Sequence, residues 1–535
     1  MKRRDLLKIG AAGSVLPMTG CMEDSIETEW NSGEVAHILP LVSPTAFNIK
    51  VSFRQPLKSP PELKVDELLV TGIQQDTRGR FWSFVVGNLE PNRQYILQLV
   101  SKDQLLCDVW PLATFPDEQA NIDQLKLIAF TCAGGPDLPV LPGGRHAFKP
   151  VRYRQKLYQQ MLERNPDLVI SNGDHVYWDY ESWRNSPDSE LAKMAVNLFM
   201  DTYGAFDDKQ PVFGADNEAT LIAIGDEQIA SAYGVQFRST PVFFVTDDHD
   251  YFDNDDASPQ RVSFPPNVFH QNLRDALQAL YFPEFLWDEP DFSCAGVSEV
   301  NGVALSKRFG ACRYGTLFDS VLFDCGGNMT LDAEEAVLLP RDVERWILRR
   351  TRNEATRHFA QVPSHPFGWT AGKWREWYPD SIESDGSLLV PVGKDEGGGK
   401  YLWQAGWWSQ HQRLLQALTE QKHRAAISIS GDLHLLGGGF IERSGALDCS
   451  ANPVLSILTG PVGVGDVGWL SSARGLQAAV ASELEVNQWK EPVEENGFTE
   501  MRFTRENIDV QLWSYGAEYA DADDLISRAV ESIRL

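Results

Sequence analysis

Positive charge is in short supply in this chain: 48 lysines and arginines stand against 75 aspartates and glutamates, a formal net charge of −27. That balance repels nucleic acid and anionic lipid, whose binding rests on neutralising phosphates with Lys and Arg, and it excludes a nucleic-acid-binding scaffold. An acidic chain processes a phosphorylated compound only where bound cations reverse the local potential. Long apolar runs are missing as well. Beyond the first twenty-one residues nothing approaches the ~18 uninterrupted apolar residues of a spanning helix, so no transmembrane helix is expected in the mature chain. Cysteine is sparse: besides Cys21 there are Cys107, Cys132, Cys294, Cys312, Cys325 and Cys449, too widely spaced for a small disulfide-stapled scaffold. No Gly-x-Ser-x-Gly elbow is present, which weakens a serine hydrolase. The tract EGGGK runs into Tyr401 where a phosphate loop needs Ser or Thr. GVGDVG, with Gly463, Gly465 and Gly468, matches a dinucleotide fingerprint in letters only, because too little chain follows it to build a mononucleotide-binding half. No internal repeat is visible.

What is there begins with size. The chain has 535 residues, 43% of them hydrophobic and 11% aromatic, enough for a large core and two or more folded units. Residues 1–21, MKRRDLLKIGAAGSVLPMTGC, pair Arg3 with Arg4 ahead of Leu6, Leu7 and Lys8 and resemble a twin-arginine export signal. Such signals serve proteins that fold before export, often around a cofactor, and imply a bacterial periplasmic or envelope-anchored location. The ending MTGC resembles a lipoprotein box, with Met18 an imperfect fit; on that reading Cys21 carries a lipid anchor.

Residues 34–116 alternate short apolar segments (FNIKVSF, FWSFVV, YILQLV) with Pro, Gly, Asp and Asn, the pattern of a small β-sandwich. Within NLEPNRQY, Leu89, Pro91 and Tyr95 resemble the tyrosine corner of fibronectin type III and immunoglobulin-like domains. No exposed polar constellation appears in this segment, so its expected role is to stiffen the larger unit. From residue 122 to 535 the pattern becomes α/β. Tyr153, Leu157 and Met161 share one helical face, ended by Asn165-Pro166, and Trp408, Leu414, Leu415 and Leu418 mark another. Between such helices run near-continuous apolar strands, which suit sheets covered on both faces.

Each of these strands ends in polar side chains. LKLIAF runs into Thr131 and Cys132; LVIS into Asn172, Asp174, His175 and Tyr177; VFFV into Asp247, Asp248, His249 and Asp250; VLF into Asp324; AISIS into Asp432 and His434. In helix-covered sheets the carboxyl ends of the strands form the ligand crevice, so residues distant in sequence are expected to converge there. Converging carboxylates raise one another's pKa unless a cation sits among them. Asp174 would bridge ions, Asp247, Asp248 and Asp432 supply hard oxygens, and Cys132, Tyr177 and His434 suit a transition metal. Two ions about 3.5–4 Å apart clamp a phosphate and generate a hydroxide nucleophile near neutral pH. Asp248 and Asp250 flank His249 and are expected to keep it protonated, fit to protonate a leaving oxygen, an effect worth about 10²–10⁴-fold. Taken singly, Cys132 reads as a buried hydrophobe, Tyr177 as packing, His434 as a core histidine, and Asp174 or Asp432 as helix N-caps. The acidic run Asp253–Asp256 reads as a solvated loop, lacking the Gly and terminal Glu of a calcium-binding loop.

The segments NGDHVYWD, VTDDHDYFDND and SGDLHLLGG resemble the metallophosphoesterase motifs in the version used by the alkaline phosphatase D (PhoD-like) group. Thr131-Cys132 stands where the superfamily has an early Asp-x-His, Asp248 takes the Asn place of its Asn-His pair, and Asp432 the first His place of its Gly-His-x-His. The resemblance spans nearly the whole chain. It implies a four-layer αββα metallophosphoesterase sandwich preceded by the fibronectin type III-like domain; separately, a monomer is expected. It also implies Fe3+ held by Cys132, Asp174, Tyr177 and His434, and Ca2+ faced by Asp174, Asp248 and Asp432, with Asp247 able to serve either; other divalent ions remain open. The expected activity is an exported alkaline phosphatase or phosphodiesterase acting on a phosphate ester by hydroxide attack, with His249 as general acid. The alternative is a catalytically inactive, metal-stabilised surface-binding lipoprotein. Two departures bear on this: FDCGGN places Cys325 and Gly326 where the group usually has a phosphate-holding arginine, and the tryptophan-rich GWTAGKWREWYP matches no motif.

Overall fold

A computed structural model describes residues 30–102, 104–138, 146–178, 190–252, 265–371, 376–378, 381–382, 388–389, 403–465, 467–473, 477–515, 522 and 525–535. The export signal with Cys21, the run Asp253–Asp256, EGGGK and part of the tryptophan-rich insert lie outside these residues. The chain divides into Met1–Asn31 and Ser32–Leu535, and every element belongs to the second unit.

The alternating N-terminal segments form two antiparallel sheets. One orders Val35–Val42, Phe47–Phe53, Phe81–Val86 and Ile73–Gln74; the other orders Leu68–Thr71, Glu62–Val65, Gln94–Ser101 and Gln104–Leu105, with Trp110–Ala113 added to Gln94–Ser101. Tyr95 Oη accepts the Glu90 amide at 2.7 Å, the backward bond expected of a tyrosine in that position.

Two mixed sheets follow. In the first, Val242–Val245, Leu168–Asn172 and Gln124–Phe130 run parallel, and Gly497–Thr504, Ile508–Ser514 and Arg528–Arg534 continue antiparallel. In the second, Phe318–Phe323, His358–Pro363, Ala426–Ser430 and Val454–Thr459 run parallel, flanked by the antiparallel Phe309–Tyr314 and Leu436–Ser444. The apolar runs read from the sequence are these parallel strands, buried along their length. The helix Val151–Glu163 places Leu157, Tyr158 and Met161 against Ile128, Phe130 and Val169. It stops where Asn165 turns to φ +54° ahead of Pro166, since proline cannot continue the ladder. The helices Arg341–Arg352 and Ala405–Thr419 put Trp346, Leu414 and Leu415 in one cluster with Val321 and Phe359 of the second sheet.

The two sheets touch at Phe318 and Phe503, whose rings lie 4.6 Å apart, and where Thr499 Oγ1 donates to Thr459 O at 3.2 Å. At the carboxyl ends the join is polar. Asn172 Nδ2 donates to Pro363 O at 3.0 Å and to Ile429 O at 3.3 Å, so one buried amide ties a strand of the first sheet to two of the second. Among the described residues no helix is long and apolar enough to cross a membrane.

Candidate metal centre

Four strand ends build the site, and the backbone there is unusual. Cys132, Asp174, Asp432 and His434 have φ of +45°, +58°, +71° and +55°. Non-glycine residues avoid this left-handed region, at a cost of about 1–2 kcal/mol each, and such outliers cluster at functional sites. Neighbouring glycines make the geometry feasible. A Cβ on Gly173, itself at φ +84°, would sit 2.6 Å from Asp247 Cβ, and one on Gly431 would overlap Asn172 O and Thr131 Oγ1. Gly-Asp occurs at 173–174 and at 431–432 because each strand passes too close to its neighbour for any side chain, then turns sharply to aim a carboxylate.

The donors converge. Tyr177 Oη lies 2.9 Å from Cys132 Sγ, 2.8 Å from Asp174 Oδ2 and 2.9 Å from His434 Nε2. His434 Nε2 is itself 2.9 Å from Asp174 Oδ2. Donor atoms of Cys132, Asp174 and His434 lie within 4.8 Å of one another, as do those of Asp247, Asp248 and Asp432. Asp174, Asp248 and His249 form a third such group that links the first two. All seven residues expected to ligate are thus in one place, with His249 beside them.

The electrostatics call for a cation. Burial pushes the Asp247 carboxyl up to about 6; His365 opposes this, while Asp432 and Asp248 add to it. Burial raises the Tyr177 phenol well above its ordinary range, and the neighbouring Asp174 and Cys132 push the same way. Asp247 Oδ2 is buried with no hydrogen-bond partner, an arrangement that costs free energy unless a ligand takes the oxygen. The residues therefore fit multivalent cations: thiol, phenol and imidazole donors on one side suit a transition metal, and three carboxylates on the other suit a hard ion.

Some residues at the strand ends do other work. His175 turns into the core, Nε2 2.8 Å from Val245 O, its ring against Phe244 and Phe282. Asn172 bridges the sheets, as described above. Asp324 accepts from Thr246 Oγ1 at 2.7 Å, from the Gly326 and Gly327 amides at 2.6 and 2.9 Å, and from Tyr251 Oη; it braces the turn under the site rather than joining the donor groups. His249 Nε2 is 3.9 Å from Asp248 Oδ2, but the expectation that Asp250 also faces it is not met. Asp250 is buried and accepts the amides of Asp247 and His175, both at 2.9 Å, because a tight turn leaves those N–H groups otherwise unsatisfied. His365 had gone unread. It follows His358–Pro363 and sets Nε2 2.9 Å from Asp247 Oδ1. The strand-end rule applied to FAQV would have found it. GVGDVG is no nucleotide loop: Gly465 N bonds to Ala147 O at 2.8 Å, and Gly468 O lies 3.3 Å from His434 Nδ1.

No known family model and no curated protein sequence matches the chain. Solved structures do. A structure of PhoD superposes with a TM-score of 0.54 at 13% identity, covering 94% of this chain and 90% of that one. The purple acid phosphatase PPD1 from yellow lupin (Lupinus luteus) seeds superposes with a TM-score of 0.52 at 12% identity, covering 94% and 74%. The mixed, sheet-rich fold of this chain is similar to the folds of those two phosphatases.

Proposed function

We propose that this protein is an exported, metal-dependent phosphoesterase. The observation that carries the reading is the convergence of Cys132, Asp174, Tyr177, Asp247, Asp248, Asp432 and His434 from four separate strand ends. Cys132, Asp174, Tyr177 and His434 would hold Fe3+; Asp174, Asp248 and Asp432 would hold Ca2+, with Asp247 and its neighbour His365 on that side. Bound metal supplies Lewis acidity toward phosphoryl oxygens and a water ionised near neutral pH.

The side chains supply the rest. His249 Nε2 stands at the edge of both donor groups, 3.9 Å from Asp248 Oδ2, and would give a proton to the departing ester oxygen. The Tyr177 ring, with its centroid 4.1 Å from that of His249, limits where the imidazole can swing. Trp178 Nε1 fixes the His249 carbonyl at 2.9 Å. The two mixed sheets are read as the inner layers of an αββα sandwich, the N-terminal sheets as a fibronectin type III-like domain over residues 34–116, and residues 1–21 as a twin-arginine signal delivering a folded monomer to the periplasm or envelope. Both phosphomonoesters and phosphodiesters remain substrates of the class.

The test is elemental analysis of protein purified after native export, with turnover of a mono- and a diester on the same sample. Iron with calcium and turnover of either ester is expected, and Asp174→Ala is expected to lose both metal and activity. Full activity in Asp174→Ala overturns the reading. Metal without turnover in the wild type points instead to a binding lipoprotein.

A further inference from the structure

Arg154 lies on the helix Val151–Glu163 and is fully buried. Buried guanidinium groups ordinarily bind carboxylates. This one binds main-chain carbonyls: Nε donates to Lys149 O at 3.1 Å, Nη1 to Ala133 O at 3.3 Å and Gly134 O at 3.0 Å, and Nη2 to Gly135 O at 2.9 Å. Three of those acceptors are the consecutive peptides after Cys132. The same segment is also crossed by the glycine-rich loop, and a Cβ on Gly134 would meet both Arg154 Cδ and Gly463 Cα at 2.9 Å. Val462 N and Gly463 N reach Cys132 O at 3.2 and 3.0 Å, and Lys149 N reaches Gly463 O at 2.8 Å. A Cβ on Gly463 would overlap Gly134 Cα, so the two backbones run in contact.

The segment so held carries Cys132 in a left-handed conformation that its own side chain disfavours. A free loop would relax from it and carry Sγ away from Tyr177 Oη, Asp174 and His434. An arginine that only filled core volume would have no reason to spend its fork on the peptides that follow Cys132. We infer that Arg154 is a positioning residue that fixes Cys132 Sγ in the donor group with Asp174 and His434, and thereby sets the affinity of that half of the site for thiolate-seeking cations. The inference rests on the metal-site reading above. Lysine cannot replace it, because a single ammonium cannot span four carbonyls along the plane of a guanidinium fork.

The test uses Cd2+, which seeks thiolate, and Ca2+, which seeks the carboxylates of Asp247, Asp248 and Asp432, on the metal-stripped full chain. Cadmium is followed by its sulfur-to-metal absorption in the ultraviolet. Arg154→Lys is expected to weaken Cd2+ binding about 10–100-fold, the usual effect of losing a group that orients a ligand, while Ca2+ affinity and circular dichroism stay as in the wild type. Cys132→Ser is expected to abolish the sulfur band, and the double variant to bind Cd2+ no more weakly than Cys132→Ser alone. Gly463→Ala, whose methyl would displace the segment by overlapping Gly134 Cα, should weaken Cd2+ in the same direction and serves if Arg154→Lys does not fold. Wild-type Cd2+ affinity in Arg154→Lys overturns the inference and leaves the metal site standing. So does equal weakening of both cations with altered dichroism, which would mark a general structural role. A wild-type protein with no sulfur band removes Cys132 from the site and overturns both.

Discussion

Each donor at the candidate centre has a plain reading alone, and only their mutual distances give them a chemical role. His249 is the clearest case. Its imidazole belongs to the donor group with Asp174 and Asp248, yet its short turn leaves it partly exposed at the rim, and the proposed function makes it the donor to the leaving oxygen. A proton donor matters in proportion to how poor the leaving group is. His249→Asn is therefore expected to lower kcat about 10²–10⁴-fold on an alkyl phosphate ester and far less on a nitrophenyl ester, whose departing oxygen needs no proton. Rates measured across esters of graded leaving-group pKa check this; an equal loss on all of them would assign His249 to metal binding instead. Asp250 could be mistaken for its partner because it adjoins His249 in sequence. The fold uses it to satisfy two amides, and burial holds its carboxyl up at about 7.

At the scale of elements, the site follows from how closely the parallel strands pass one another. Gly431 shows it: it ends a strand of the second sheet, and the added methyl of Gly431→Ala would meet Asn172 O and Thr131 Oγ1 at the strand ends of the first, where those two atoms are bonded to each other at 2.6 Å. Overpacking of this kind costs about 1–3 kcal/mol. Gly431→Ala is expected to lower stability by that amount in urea unfolding and to weaken metal binding through the displaced Asp432; unchanged metal affinity would mean the Asp432 turn adapts independently. The same closeness explains what the sequence discloses. Strand, Gly-Asp doublet and following donor could be read at Gly173-Asp174 and Gly431-Asp432 because apolar runs mark the buried strands and the doublets stand directly at their ends. His365 escaped that reading because its strand, HFAQVP, carries Gln361 and ends in proline, so its period looks irregular. Gln361 sits in the interior all the same, with Nε2 on Thr351 Oγ1 at 3.1 Å. The work of Asn172, Asp324 and Arg154 was illegible for another reason. Their partners are main-chain groups or hydroxyls far off in the chain, and no residue pattern encodes which carbonyl will face which amide.

Across the whole molecule, the N-terminal sheets do not hang free of the site-bearing part. Lys50, almost wholly buried, pairs with Glu284 at 3.0 Å; Asn48 Nδ2 donates to Glu284 O at 2.9 Å; Glu218 accepts the Thr77 amide at 2.8 Å; Arg80 pairs with Asp226 at 2.8 Å. Removing one partner of a buried pair leaves an uncompensated charge and costs about 3–5 kcal/mol. Glu284→Ala is thus expected to lower the melting temperature of the entire chain in one calorimetric transition, and two separated transitions would show that the halves unfold independently. His37 lies at the same junction, fully buried, its ring 5.7 Å from that of Tyr281. Burial outweighs a backbone contact with Tyr281 and lowers its pKa from 6.5 to about 3. The sign follows from proton counting. Between those two values the unfolded chain binds a proton at His37 that the folded chain refuses, so stability is lost as pH falls through 6.5 and continues to drop until about 3. Each such histidine contributes a slope of about 1.4 kcal/mol per pH unit inside that window. Urea midpoints of the wild type and of His37→Phe at pH 7, 6 and 5 isolate the term, since the other titrating groups cancel in the difference. The variant is expected to lose less stability than the wild type between pH 6 and 5. Parallel pH profiles would mean that the junction opens and lets His37 take its proton before the rest of the fold gives way.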